Sequence, residues 1–175
     1  MPARRKATAT TMAKTCTGRR VRVVVGVMAF PVPSSGGADA LQFGAVIDKV
    51  AWLRVESGRV LTARSHGKDV YYLPGGKREA GESDVDTLVR EVREELSVAI
   101  VPGSAAHIGT YEAQADGKAA GTTVRMTCYS ADFEGELAPA SEIAELRWLT
   151  SADRALVSAV TRNVFDDLLR RGLLH

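Results

Sequence analysis

Residues 75–98 read GGKREAGESDVDTLVREVREELSV. Seven of them are acidic, and three of the acids, Glu91, Glu94 and Glu95, fall within five positions. Ser83 with Asp86 three places on is a capping signal, and Val85, Leu88, Val89, Val92 and Leu96 then recur at helical spacing. The stretch is therefore expected to be a glycine-rich loop running into a helix over 83–96. At about 100° per residue the three glutamates fall within an arc of about 100° beside the apolar stripe, aimed at one cleft flanking the core. In a partly shielded cleft such like charges repel by roughly 3 kcal/mol per pair. A hard divalent cation reverses that sign, because it takes carboxylate oxygens and leaves positions for water and phosphate. The rival reading is a solvated acidic helix face supported by Arg90 and Arg93. The loop of Pro74, Gly75, Gly76 and Gly81 ahead of the helix, and Arg90 beside the first glutamate, favour the cation site.

Working outward, 45–65 (AVIDKVAWLRVESGRVLTARS) reads as two strands about a turn at Glu56-Ser57-Gly58. Residues 69–76 (DVYYLPGG) read as a short strand ended by Pro74-Gly75-Gly76. AHIGTYEAQ (106–114) and TTVRMTCYSADF (122–133) read as strands around the polar loop ADGKAAG, and ELRWLT (145–150) as another. TRNVFDDLLRRGLL (161–174) is expected to be an amphipathic helix with Val164, Phe165, Leu168 and Leu169 inward. Strands mixed with two helices imply an α/β fold, a mixed β-sheet packed between helices.

The chain has 175 residues, 45% of them apolar, enough for one domain with a tail. Of 23 basic residues, seven lie in 1–38, where there is no acid, leaving 16 basic against 21 acidic residues in the remainder, a net of −5. The basic balance belongs to the tail, so no nucleic-acid partner is expected. No run approaches the roughly 18 apolar residues of a membrane span, and no membrane partner is expected. Cys16 and Cys128 make no disulfide framework, and the scattered His66, His107 and His175 make no zinc site with them. A reducing, cytoplasmic location is expected. Residues 1–40 are expected to be a basic, disordered extension or the product of an upstream start, with Met12 and Met28 as alternative starts. A secretory or organelle signal is the competing reading. The domain is expected over 41–175. The sequence leaves monomer or homodimer open.

The central stretch resembles the Nudix box, G-x5-E-x7-R-E-U-x-E-E-x-G-U with U bulky and apolar, through Gly76, Glu82, Arg90, Glu91, Val92, Glu94, Glu95 and Val98. YLPGGK before it and ELRWLT after it are similar to the family too, over about residues 45–170. Ser97 stands where the box has its last glycine, which puts the helix cap in question and not the ligands.

The resemblance implies a Nudix-type α/β/α sandwich with a mixed sheet. It implies Mg2+ or Mn2+ held by Glu91, Glu94, Glu95 and the Gly75 carbonyl, with Glu82 and Arg90 orienting the glutamates. Glu142, or failing it Glu145, is the expected additional ligand or general base. The implied reaction is hydrolysis of a nucleoside diphosphate linked to another group, a nucleotide-type small molecule. Arg64, Lys68 and Lys77 are placed to meet its charge, Asn163 to read a purine, and Tyr71, Tyr72 or Phe133 to stack on a base. The proline typical of ADP-ribose hydrolases is missing from YEAQAD (111–116). By elimination the chain is similar to MutT-like enzymes acting on (d)NTPs, oxidised ones included. The alternatives are an ADP-ribose or dinucleotide pyrophosphatase, a non-catalytic nucleotide-binding module, and a scaffold domain.

Overall fold

Short runs of alternating polarity set the strands. In chain order the elements are β1 (Val46–Trp52), β2 (Val55–Glu56), β3 (Arg59–Ser65), β4 (Gly75–Lys77), α1 (Asp84–Leu96), β5 (Ala99–Ile100), β6 (Ala106–Gln114), β7 (Thr123–Ser130), β8 (Phe133–Glu134), β9 (Ile143–Leu149) and α2 (Ala159–Arg170). They belong to a computed structural model that describes residues 44–175. The extension expected over 1–40, with Cys16 and the boundary at 41, lies outside the described residues.

The main sheet runs β4-β1-β7-β6, with β1 parallel to β7 and the other pairs antiparallel. A second sheet runs β2-β3-β9, and β5 pairs with β8. Ser57 (φ 48°) and Gly58 (φ 71°) both lie in the left-handed region between β2 and β3. That suits a two-residue hairpin turn, where the twist of the loop matches that of the strands.

Period-2 alternation in β1 divides the core. Val50 and Trp52 face the cluster with Leu88, Val92 and Leu96 of α1. Ala51 faces the opposite cluster, with Met126, Cys128 and Val164, Phe165 and Leu168 of α2. Each such buried aliphatic or aromatic side chain stabilises the fold by about 1.5–3 kcal/mol. The result is the expected α/β/α sandwich with a mixed sheet.

Helix α1 opens on the expected capping box: Asp86 N donates to Ser83 Oγ at 3.2 Å, and Ser83 N donates to Asp86 Oδ2 at 3.0 Å. It ends on Ser97 in the left-handed conformation (φ 60°, ψ 20°), whose N–H bonds Arg93 O. A serine held there costs about 1 kcal/mol. No described helix is long and apolar enough to cross a membrane.

Two expectations are corrected. Tyr71 and Tyr72 make only isolated bridges, and the strand is Gly75–Lys77 itself. The glycines do not end a strand; they form one so close to β1 that a Cβ on Gly75 would stand 2.2 Å from Val50 O. In α2 the buried set is Val160, Thr161, Val164, Phe165 and Leu168, while Leu169 is half exposed. The helix starts earlier than expected, which adds Val160 and Thr161 to the buried stripe, and Leu169, about 100° round from Leu168, lies beyond its edge.

Candidate active site

A cleft of about 470 Å³ opens between the loop-borne strand β4, helix α1 and the ends of β1 and β9. Gly75, Gly76, Glu91, Glu95 and Glu142 line it, together with Lys49, Lys68 and Lys77. Gly76 is the close point. A Cβ there would lie 2.1 Å from Glu91 Oε1 and 2.4 Å from Oε2, so the missing side chain is the space the carboxylate occupies.

Arg90 organises this region without lining the cleft. Its Nε and Nη2 donate to the two oxygens of Glu82 at 2.6 and 2.8 Å, its Nη1 to Glu91 Oε1 at 2.8 Å, and its Nη2 also to Lys77 O at 3.1 Å. Glu82 accepts further from Glu79 N and Thr87 Oγ1, both at 2.9 Å. Arg90 above all, with the Glu79 amide next, holds the Glu82 carboxyl down to about 2. The loop 77–82 is thereby fastened to α1, and Glu91 is aimed over Gly76.

Glu95 is 7% exposed and accepts from Gly75 N at 2.8 Å through Oε2. Burial pushes its carboxyl up to about 7. The Gly75 amide and Lys49 work against that rise, and the charges of Glu91 and Glu142 add to it. Glu95 is therefore near enough to Glu91 and Glu142 to feel both charges.

Glu94 stands apart. It does not line this cleft; its side chain is 56% exposed, 3.6 Å from Arg90 Nη1, beside a shallow surface depression with Val89 and Arg93. The single arc expected for three glutamates is divided because β4 covers only the Glu91–Glu95 side. Glu94 lies about 100° of helix rotation from Glu95 and turns to solvent.

Among the described residues no three His, Cys, Asp or Glu side chains converge into a formed metal-binding group. The donor chemistry still fits a hard cation. Three glutamates line one cleft, and the buried one, Glu95, is only partly compensated by the Gly75 amide and Lys49.

The remaining candidates separate. Lys77 and Lys68 line the cleft, as does Tyr72. Arg64 does not; it bonds Glu145 Oε1 at 3.1 Å and Lys68 O at 3.0 Å. Glu145 also accepts from the Tyr71 hydroxyl, and these two partners hold its carboxyl below the usual range, Tyr71 first. Glu145 is thus committed elsewhere, while Glu142 faces the cleft. Asn163 lies off the cleft wall, its Nδ2 donating to Glu112 O at 2.8 Å and tying α2 to β6. Phe133 packs edge-on against Trp52 at 5.3 Å, and Tyr71 is buried in the core. Lys49 was not anticipated. Its signal was present in β1, where it shares alternation with Ile47 and Ala51 on the cleft side.

The NUDIX domain family model matches residues 47–168. No curated protein matches the chain. Among solved structures, the MutT protein from Methanosarcina mazei is 22% identical with a TM-score of 0.59, covering 74% of this chain and 96% of that one. The MutT protein from Bacillus halodurans is 24% identical with a TM-score of 0.55, covering 70% and 81%. A bifunctional NMN adenylyltransferase/ADP ribose pyrophosphatase from Francisella tularensis, complexed with AMP and a Mn ion, is 17% identical with a TM-score of 0.53. That match covers 74% of this chain and 43% of that one. These likenesses concern the fold.

Proposed function

Because this chain belongs to the Nudix family, its NUDIX match spanning residues 47–168, and is a Nudix hydrolase, we propose that it is a metal-dependent pyrophosphohydrolase of (d)NTPs, oxidised ones included. The observation that carries the reading is the pairing of Glu91 and Glu95 in one cleft with Gly75 and Gly76, beside the four lysines Lys49, Lys68, Lys77 and Lys118. The choice of (d)NTPs rests on the absence from YEAQAD (111–116) of the proline typical of ADP-ribose hydrolases.

Glu91, Glu95 and the Gly75 carbonyl would hold Mg2+ or Mn2+, and Glu94, which faces solvent 3.6 Å from Arg90 Nη1, would join them only by turning its side chain toward the cleft. Such a cation, when bound, polarises a phosphate oxygen and eases deprotonation of water. The chain's own groups do the rest. Lys49, Lys68 and Lys77 meet the negative charge of the triphosphate. Arg90 holds Glu91 in place and reaches no substrate, since Glu82 and Lys77 O occupy its other nitrogens. In this reading Glu142 accepts the proton of the attacking water. The water oxygen bonds one phosphorus, the anhydride P–O bond breaks, and nucleoside monophosphate and pyrophosphate leave.

The experiment is a nucleotide panel with Mg2+ and with Mn2+, scored for monophosphate release. Metal-dependent cleavage of (d)NTPs is expected. Cleavage confined to ADP-ribose or dinucleotides would replace the substrate class. No cleavage of any nucleotide with either metal would overturn the enzyme reading in favour of a binding module.

A further inference from the structure

Arg64 is off the cleft wall, yet it grips both segments that bring Glu142 and Lys68 to it. Strands β3 and β9 pair in register from Val60↔Leu149 to Arg64↔Glu145, then slip so that Ser65 faces Ile143 and Ala144 is left over. A bulge of this kind bends the pair and re-aims the side chains next to it. Past the bulge, the turn 65–68 closes through Lys68 N to Ser65 O at 3.2 Å, and docks on the β9 side through His66 N to Glu142 O at 2.9 Å. The Arg64 fork spans the same junction: Nη1 holds Lys68 O at 3.0 Å, and Nε holds Glu145 Oε1 at 3.1 Å. The Tyr71 hydroxyl donates to that same glutamate oxygen, and the Tyr71 ring lies 5.9 Å below the guanidinium. Lys68 and Glu142 both line the cleft.

We propose that Arg64 is a positioning residue, whose two-armed grip on the Lys68 carbonyl and Glu145 fixes the Lys68 ammonium and the Glu142 carboxylate as a set on the cleft wall. The role rests on the pyrophosphohydrolase reading, in which Lys68 meets substrate and Glu142 takes the proton. An ordinary exposed Arg–Glu pair would contribute little to stability and nothing to turnover. What separates this one is the second arm onto a backbone carbonyl, a span that a planar fork makes and a single ammonium does not.

Two measurements test it. The first is amide hydrogen exchange on Arg64→Ala and Arg64→Lys without substrate. The His66 amide, bonded to Glu142 O, should exchange at least about 10-fold faster in both variants, while the amides of α2 keep their protection. Unchanged exchange at His66 would overturn the proposal whether or not the protein proves to be an enzyme. The second is kinetics on whichever nucleotide the wild type cleaves. Arg64→Ala and Arg64→Lys should each lower kcat/KM by about 10-fold, and the loss should shrink when Lys68 is already alanine or Glu142 already glutamine, because coupled residues are not additive. Full rescue by lysine, or the same fold loss in every background, would also overturn it. A wild type without activity would count against the functional reading and leave the exchange result to decide the positioning role.

Discussion

Gly76 and Glu91 approach so closely that a Cβ on the glycine would stand 2.1 Å from Glu91 Oε1. The glycine is needed for space, since its φ is not among the left-handed ones. Gly76→Ala should therefore fold, with a melting temperature within a few degrees of wild type. It should displace the Glu91 carboxylate and lower turnover by about 10-fold or more, as disturbing a ligand's support does. Turnover at the wild-type level would show that Glu91 need not sit over residue 76.

Arg90 holds Glu82 with two nitrogens and Glu91 with a third. Arg90→Lys keeps the charge and loses the fork. The expected result is a loss of about 10–100-fold in kcat/KM or in metal affinity. Arg90→Lys with wild-type metal affinity and kcat/KM would contradict the orienting role.

The helix, its cap and its apolar stripe were legible because each is a local pattern: Ser83 with Asp86, then Leu88, Val92 and Leu96 at fixed spacing. Gly76, Glu91 and Glu95 were legible for the same reason. What the sequence could not show was which side of α1 another element would cover. That depends on β4 lying against β1, a non-local pairing, and it is what separates Glu94 from Glu91 and Glu95. The resemblance implies Arg64 and Asn163 as substrate contacts. Their partners, Glu145 with Lys68 O and Glu112 O, are brought to them by strand register and helix docking. The two-residue strands β5 and β8 are too short for alternation to register.

Burial raises the Glu95 carboxyl from 4.5 to about 7, so the folded protein prefers the protonated form. At Glu95 the folded state binds more protons than the unfolded one between those values, so the contribution of this group without metal is fully present below about pH 4.5 and is lost as pH rises through 7. The loss is on the order of 3 kcal/mol, or about 10 °C in melting temperature for a domain of this size. Glu82, held down to about 2, stays ionised throughout and adds nothing in this window. With saturating Mg2+ the decline should be smaller at pH 8, because the cation binds the ionised form. Melting curves from pH 5 to 8 in chelator and in Mg2+ check this; a flat chelator profile would contradict it.

Ser97 closes α1 at φ 60°. Ser97→Gly should remove the backbone strain and stabilise the protein by up to about 1 kcal/mol, less what glycine loses in the unfolded chain. Thermal unfolding should show a rise of about 3 °C with turnover unchanged. A lower melting temperature would mean that the serine side chain contributes more than its conformation costs.

On the proposed reading Glu95, buried and bonded to the Gly75 amide, serves cation-assisted cleavage and not the fold. The direct measurement is Mg2+-dependent turnover of Glu95→Gln beside wild type, on the best nucleotide of the panel, with melting curves of both in chelator at pH 8. Glutamine keeps the acceptor for Gly75 N and removes the buried charge. Turnover lower by orders of magnitude is predicted, with a melting temperature equal to or above wild type. Equal turnover, or a variant that loses activity only by unfolding, would contradict that role.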